Sequence, residues 1–201
     1  MLKLHLCCGD IYLEGYQNCD ISGYVITPFE DTRLLINEDN HVVGMNGYNP
    51  NETSLDKYFK YPFGSKPRRF ILDRRMNILE KWPWEDNSVD ELVLISAIEH
   101  FNPRTELPHV LKEINRVMKI GGKLIIDWPD IKKQVELYYE ADPDFMVELL
   151  YCNHKNKYSI HHWGFTEETF KAYLGKNWNY DFKEVVKHDY PMQGCICVKK
   201  T

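Results

Sequence analysis

Apolar and polar positions alternate at the start of the chain, Leu2-Lys3-Leu4-His5-Leu6, and the alternation stops at Cys7-Cys8-Gly9-Asp10. This predicts a short strand that ends in a loop, where glycine lets backbone approach a ligand without a Cβ in the way. A second short run leads from Gly15 to Asn18-Cys19-Asp20. Gly9 to Asn18 leaves too little room for the usual crossover helix between parallel strands, so the first helix is predicted to be one turn or absent. From Ser22 to about Arg69 the periodicity is poor and turn residues are dense, as in Asn46-Gly47 and Asn49-Pro50-Asn51. A connection of that length reads as a lid or binding insertion, or as a loop without such a role. Within it Leu34-Leu35-Ile36 and His41-Val42-Val43-Gly44-Met45 fit a small hairpin.

Regular patterning resumes at Arg69-Phe70-Ile71-Leu72-Asp73, and Trp82 to Asp90 is turn-rich with Pro83 excluding a central strand. The run Glu91-Leu92-Val93-Leu94-Ile95-Ser96-Ala97-Ile98 is the best candidate for a strand covered on both faces. Leu107, Val110, Leu111, Ile114, Val117 and Met118 recur at helical spacing, and Gly121-Gly122 is expected to end that helix. Lys123 to Trp128 reads as the next strand, stopped at Pro129. Asp130 to about Asn153 reads as helical with a break at Asp142-Pro143, and Thr166 as the N-cap of a further helix. Asp181 to Val186 and Cys195 to Val198 close the chain as a strand pair at one sheet edge. Alternating strands and helices from Phe70 onward predict an α/β fold with a mostly parallel sheet and a C-terminal antiparallel hairpin.

Composition narrows this further. At 201 residues, 43% hydrophobic and 13% aromatic, the chain suits a single domain over 1–201 with a sizeable core and an insertion at about 22–69. A net charge of −5 argues against a broad basic surface for nucleic acid. Lys66-Pro67-Arg68-Arg69 reads as a solvated loop or a local basic patch. Met1-Leu2-Lys3-Leu4 runs straight into strand pattern without the order of a signal peptide. No apolar run approaches the ~20 residues of a membrane span, so a soluble cytoplasmic protein is expected. Cys7, Cys8, Cys19, Cys152, Cys195 and Cys197 show no repeated metal-ligand spacing, and reduced structural thiols without a metal are the expectation. Cys195 and Cys197 share one strand face, where a metal with His neighbours is the alternative. Oligomeric state is not legible in these patterns.

Three segments in order then carry a resemblance: Leu4 to Gly9 with Asn18-Cys19-Asp20; Trp82-Pro83-Trp84-Glu85-Asp86-Asn87-Ser88-Val89-Asp90 running to Ile98-Glu99-His100-Phe101; and Leu111 to Leu124. Together they resemble the class I S-adenosylmethionine-dependent methyltransferases, in particular the small methyltransferase type 11-like group linked to sugar and cell-surface biosynthesis. His162-Trp163-Gly164-Phe165-Thr166 also resembles a segment of that group. The resemblance implies a Rossmann-like fold and S-adenosyl-L-methionine as cofactor. It implies Leu6, Cys7, Cys8 and Gly9 under the methionine moiety, Asp20 on the ribose, Asn77 and Ile78 beside the adenine, and Ser96 on the floor between cofactor and acceptor. The pattern departs from the family in a second cysteine where the loop usually has its first glycine, and in Asn77 where an Asp is common.

The expected reaction is methylation of oxygen or nitrogen on a small-molecule or saccharide acceptor. His100 is the candidate base, since a neutral imidazole can accept a proton near neutral pH, with Glu99 orienting it or holding the acceptor. A hydrogen-bonded histidine at a strand end is the plainer reading of the same residue. His161 and His162 are candidates for the acceptor side or for packing at a helix start, and Trp82 and Trp84 for the core or for covering the adenine. The competing readings are a cofactor-binding subunit without activity and a nicotinamide dehydrogenase. The latter lacks G-x-G-x-x-G, and Asp20 follows Gly9 too soon for the ~20-residue spacing of that fingerprint.

Overall fold

The computed structural model describes residues 1–9, 11–13, 15–21, 24–25, 66–67, 71–152, 160–187 and 192–201. Most of the expected insertion lies outside the described residues, as do the hairpin at 34–45 and Arg68 and Arg69. The chain divides into two compact units, Met1–Lys81 and Trp82–Thr201.

In the first unit the opening alternation forms β1 (Lys3–Leu6), whose Leu4 and Leu6 are buried. β2 (Ile11–Tyr12), β3 (Gln17–Asp20), β4 (Tyr24–Val25), β5 (Lys66–Pro67), β6 (Ile71–Leu72) and β7 (Arg74–Arg75) follow. β1 pairs parallel with β3, and β3 parallel with β7. β2 pairs antiparallel with β5 and β4 parallel with β6. No helix stands between β1 and β3 among the described residues, so another device must turn the chain. Asn18 supplies it. Its Oδ1 accepts from the Leu13 N–H at 2.9 Å and lies 3.0 Å from His5 Nδ1. Its Nδ2 donates to the Leu13 and Tyr16 carbonyls and to Asp73 Oδ2, each at 3.0 Å. A fully buried amide that satisfies the loop's own backbone takes the place of a helix.

In the second unit β8 (Val89–Leu94) leads to a 3₁₀ turn at Ile98–His100 and then α1 (Leu107–Val117). β9 (Met118–Pro129), α2 (Ile131–Tyr138), α3 (Pro143–Tyr151), α4 (Glu167–Trp178), β10 (Tyr180–Lys187) and β11 (Met192–Lys199) complete it. The strand order is β10-β11-β9-β8, with β8 and β9 parallel and the C-terminal pair antiparallel at one edge. The apolar run from Leu92 is the buried strand the pattern predicts, but it stops at Leu94 because the chain turns left-handed at Ser96. The two glycines do not end α1 as expected. The helix stops at Val117, Met118 is already extended, and β9 begins there. Gly121 and Gly122 instead lie where the β8–β9 register jumps from Val89↔Met118 to Glu91↔Lys123. At Gly122 a Cβ would come within 2.8 Å of the Lys119 carbonyl, which accounts for the glycine.

The helical stretch from Asp130 breaks before Pro143 as expected and forms two helices, each started by an aspartate: Asp130 accepts from Lys133 N–H and Asp142 from Phe145 N–H. Thr166 caps α4 in a reciprocal capping box with Thr169. Phe170 of α4 stacks on Trp128 of β9 at 3.9 Å between ring centres, and Phe165 meets Phe170 edge-on. Trp82, expected in the core or over the adenine, is buried, with Trp84 edge-on beside it. Arg116 of α1 clamps that corner: it bonds both Glu113 oxygens at 2.9 and 2.6 Å, the Trp82 and Trp84 carbonyls, and Asp86. Among the described residues no helix is long and apolar enough to cross a membrane.

Candidate functional site

Parallel β1 and β3 end side by side, which brings Cys7-Cys8-Gly9 against Asp20 at the carboxyl edge, where open α/β sheets take their ligands. Gly9 N–H donates to Asp20 Oδ2 at 2.9 Å, and Ile21 N–H to Oδ1 at 2.7 Å. Cys7 takes a φ of 51°, the left-handed geometry a glycine would adopt at little cost. Cys7 thus occupies the loop's glycine position by accepting strain, while Cys8 is buried. Among the described residues a Cβ on Gly9 would meet nothing within 4 Å. Met76 N–H donates to the Asp20 carbonyl at 2.8 Å, which draws Asn77 and Ile78 to the same end. Asn77 Oδ1 accepts from Leu79 N–H at 3.0 Å, an Asx turn, and Ile78 is buried. Leu6, Cys7, Cys8, Gly9, Asp20, Asn77 and Ile78 therefore gather at one end of the first unit.

In the second unit Ser96 has a φ of 48°, and its N–H donates to Asp127 Oδ1 at 2.5 Å. Asp127, at the far end of β9, is fully buried, and burial pushes its carboxyl up to about 7. The 3₁₀ turn after Ala97 presents Glu99 and His100. Glu99 is buried; burial first, then the nearby Asp127, raises its carboxyl to about 8, and its Oε2 has no hydrogen-bond partner among the described residues. The Glu99 carbonyl accepts from His162 N–H at 2.7 Å and Trp163 N–H at 3.4 Å, clipping residues 160–163 onto the turn. His100 Nδ1 lies 3.1 Å from the Ile160 carbonyl and His161 Nδ1 2.9 Å from the Leu149 carbonyl. A carbonyl only accepts, so each Nδ1 carries the proton and each Nε2 the electron pair. The two rings stand 4.8 Å apart, edge to face. Burial, then His161, holds His100 down at about 4, so the ring is neutral over the physiological range. Burial lowers His161 likewise.

The second unit thus unites Ser96, Glu99, His100 and His161. His162 takes part through its backbone only, and its side chain is exposed. A cleft of about 240 Å³ adjoins them, lined among others by Gln134, Tyr151, His161 and Trp163. Sequence reasoning missed Asp127 and Asn18. Asp127 was signalled by an acidic residue inside the apolar run Leu124 to Trp128; Asn18 carries no local signal, because its partners are brought to it by the turn.

Residues 50–126 match the family model of the methyltransferase domain, type 11. No curated protein matches the chain. Among solved structures, a methyltransferase from Methanosarcina mazei, described as S-adenosylmethionine-dependent, is 17% identical over 98% of this chain and 92% of its own, with a TM-score of 0.54. The N-methyltransferase NodS from Bradyrhizobium japonicum, solved with S-adenosyl-L-homocysteine, is 11% identical over 99% of this chain and 78% of its own, with a TM-score of 0.53. A Pyrococcus horikoshii protein, PH0226, is 18% identical over 98% and 81%, with a TM-score of 0.52. Residues 50–126 thus carry the pattern of a methyltransferase domain, and the chain has the Rossmann-like fold of these solved structures.

Proposed function

We propose that the enzyme methylates oxygen or nitrogen on a small-molecule or saccharide acceptor, and that 1–201 works as one domain with an insertion at about 22–69. The left-handed turn at Gly9, with no described residue within 4 Å of where its Cβ would be, and the carboxylate beside it fit an adenosyl cofactor. Leu6, Cys7, Cys8 and Gly9 would hold its methionine end, Asp20 its ribose hydroxyls, Asn77 and Ile78 its base, and Ser96 the floor below it. When bound, the cofactor supplies an electrophilic methyl group on a positively charged sulfur. The protein's own task is to align the acceptor and remove its proton. Glu99 and His100 act on the acceptor's O–H or N–H, and His161 with the His162 segment holds it.

The observation that carries this reading is the position of His161, which lines the cleft and also touches the Glu99 and His100 cluster. An acceptor in the cleft therefore lies beside the reactive groups. Trp163 and Tyr151 give that cleft exposed aromatic faces, and Gln134 a polar group, the mixture that suits a sugar ring. The test is incubation with S-adenosylmethionine and panels of sugars, nucleotide sugars and amines, followed by mass spectrometry. A methylated sugar or amine, with less product from Trp163→Ala, is the expected result. Methylation confined to protein or nucleic-acid acceptors would overturn it.

A further inference from the structure

Glu99, His100 and His161 each place a ligating atom within 4.8 Å of the other two. Each can offer a lone pair to an ion, Glu99 from its ionised carboxylate. Both histidines give their Nδ1 proton to a backbone carbonyl, Ile160 and Leu149 respectively, so the electron pair each ring has to offer is on Nε2. An outer carbonyl fixing the tautomer in this way is the usual support of a metal-binding histidine. The third member, Glu99, is 2% exposed, and its Oε2 has no partner among the described residues. Three ligand atoms gathered this closely, one of them a buried carboxylate oxygen without a partner among the described residues, suit a cation between them.

We propose that Glu99, His100 and His161 form a binding site for one divalent transition-metal ion, which holds and acidifies the acceptor's hydroxyl or amine. Two imidazoles and a carboxylate are the donor set of open catalytic zinc and related sites, whereas magnesium and calcium require oxygen ligands. Ligands of a tetrahedral site at ~2.1 Å from the metal stand ~3.4 Å apart, so closure from the observed spacing takes side-chain shifts of about 1 Å. The inference rests on the proposed acceptor site for its purpose, and it defines how His100 serves there. Nε2 holds the ion, the ion takes the acceptor's lone pair, and the acceptor's proton leaves to water as its O–H or N–H bond breaks. Burial leaves His100 a weak proton acceptor but does not impair it as a neutral ligand. Sequence names these three residues without grouping them, because His161 reaches the 99–100 pair through the clip on the Glu99 carbonyl.

The test is titration of chelator-stripped, full-length protein with Co²⁺, followed by calorimetry and visible absorption. One ion per chain is expected, with ligand-field bands and without the intense near-ultraviolet band of thiolate ligation. Glu99→Gln and His161→Gln should each weaken binding more than about 100-fold, beyond the loss caused by removing an outer hydrogen-bond partner. Circular dichroism melting of each variant checks that it is folded, and Glu99→Asp, which keeps the carboxylate, should retain part of the affinity. Absence of stoichiometric binding, binding unchanged in folded variants, or a thiolate spectrum would each overturn the proposal. Calorimetry with S-adenosylhomocysteine is run in parallel. Failure there would strike the methyl-donor reading and leave the cobalt result standing, and the reverse holds equally.

Discussion

Two residues in the first unit show how burial converts into measurable behaviour. His5 is 1% exposed, and burial holds its imidazole down at about 4 from 6.5, against the opposing hydrogen bond to Asn18. The native state therefore refuses a proton that the unfolded chain takes up below its own pKa. Stability from this residue is complete above pH 6.5 and is lost as pH falls from 6.5 to about 4, by about 3 kcal/mol in all. Urea unfolding from pH 7 to pH 4 should lose that much of its pH dependence in His5→Gln. Asp20 tests the donor-binding role instead. Its carboxylate holds the Gly9 N–H, so Asp20→Ala loosens the loop and removes the proposed ribose contact together. Affinity for S-adenosylhomocysteine, read by calorimetry, should fall by about 1.5–3 kcal/mol, roughly ten- to 150-fold.

At the scale of elements, the Arg116 clamp ties α1 to the Trp82 corner. The Arg116 side chain is 20% exposed and Glu113 8%, and the pair draws Glu113 down to about 2. Arg116→Ala strands a buried carboxylate and two carbonyls, and should destabilise the protein by about 3 kcal/mol, read as a lower urea midpoint at unchanged slope. Thr166→Ala removes one arm of the capping box and should cost about 1 kcal/mol by the same measurement. Thr166 was legible as a cap because capping is local. The Arg116 clamp is not local in this way, since the Trp82 and Asp86 groups it binds reach it through the fold. The same limit explains the glycine pair: Gly121-Gly122 after an amphipathic run reads as a helix stop. The choice between stop and bulge was made by the pairing of β8 with β9, which no local window contains.

For the molecule as a whole, class and connectivity were readable because buried parallel strands and amphipathic helices leave strong periodic signals. The candidate site was readable as a set of names but not as a grouping. Glu99 and His100 adjoin in sequence, whereas His161 and Asp127 join them by backbone bonds and strand register. All six cysteines are free thiols, and Cys8, Cys19, Cys195 and Cys197 are buried. Burial pushes the Cys19 thiol up to about 12 and Cys8 higher still. A thiol reagent should therefore modify Cys7 and Cys152 rapidly in the native protein and the other four only on unfolding. The irregularity at Lys119 to Gly122 has a further consequence for how this chain tolerates changes in length. Ile120 and Gly121 are exposed and outside the β8–β9 register, so a residue inserted there lengthens a bulge and leaves the rest of β9 in phase. An insertion between Leu124 and Ile126, where β9 pairs on both sides, would turn Asp127 to the opposite face and take its carboxylate from Ser96. Natural or engineered variants of differing length should carry their extra residues before Lys123 and none between it and Asp127.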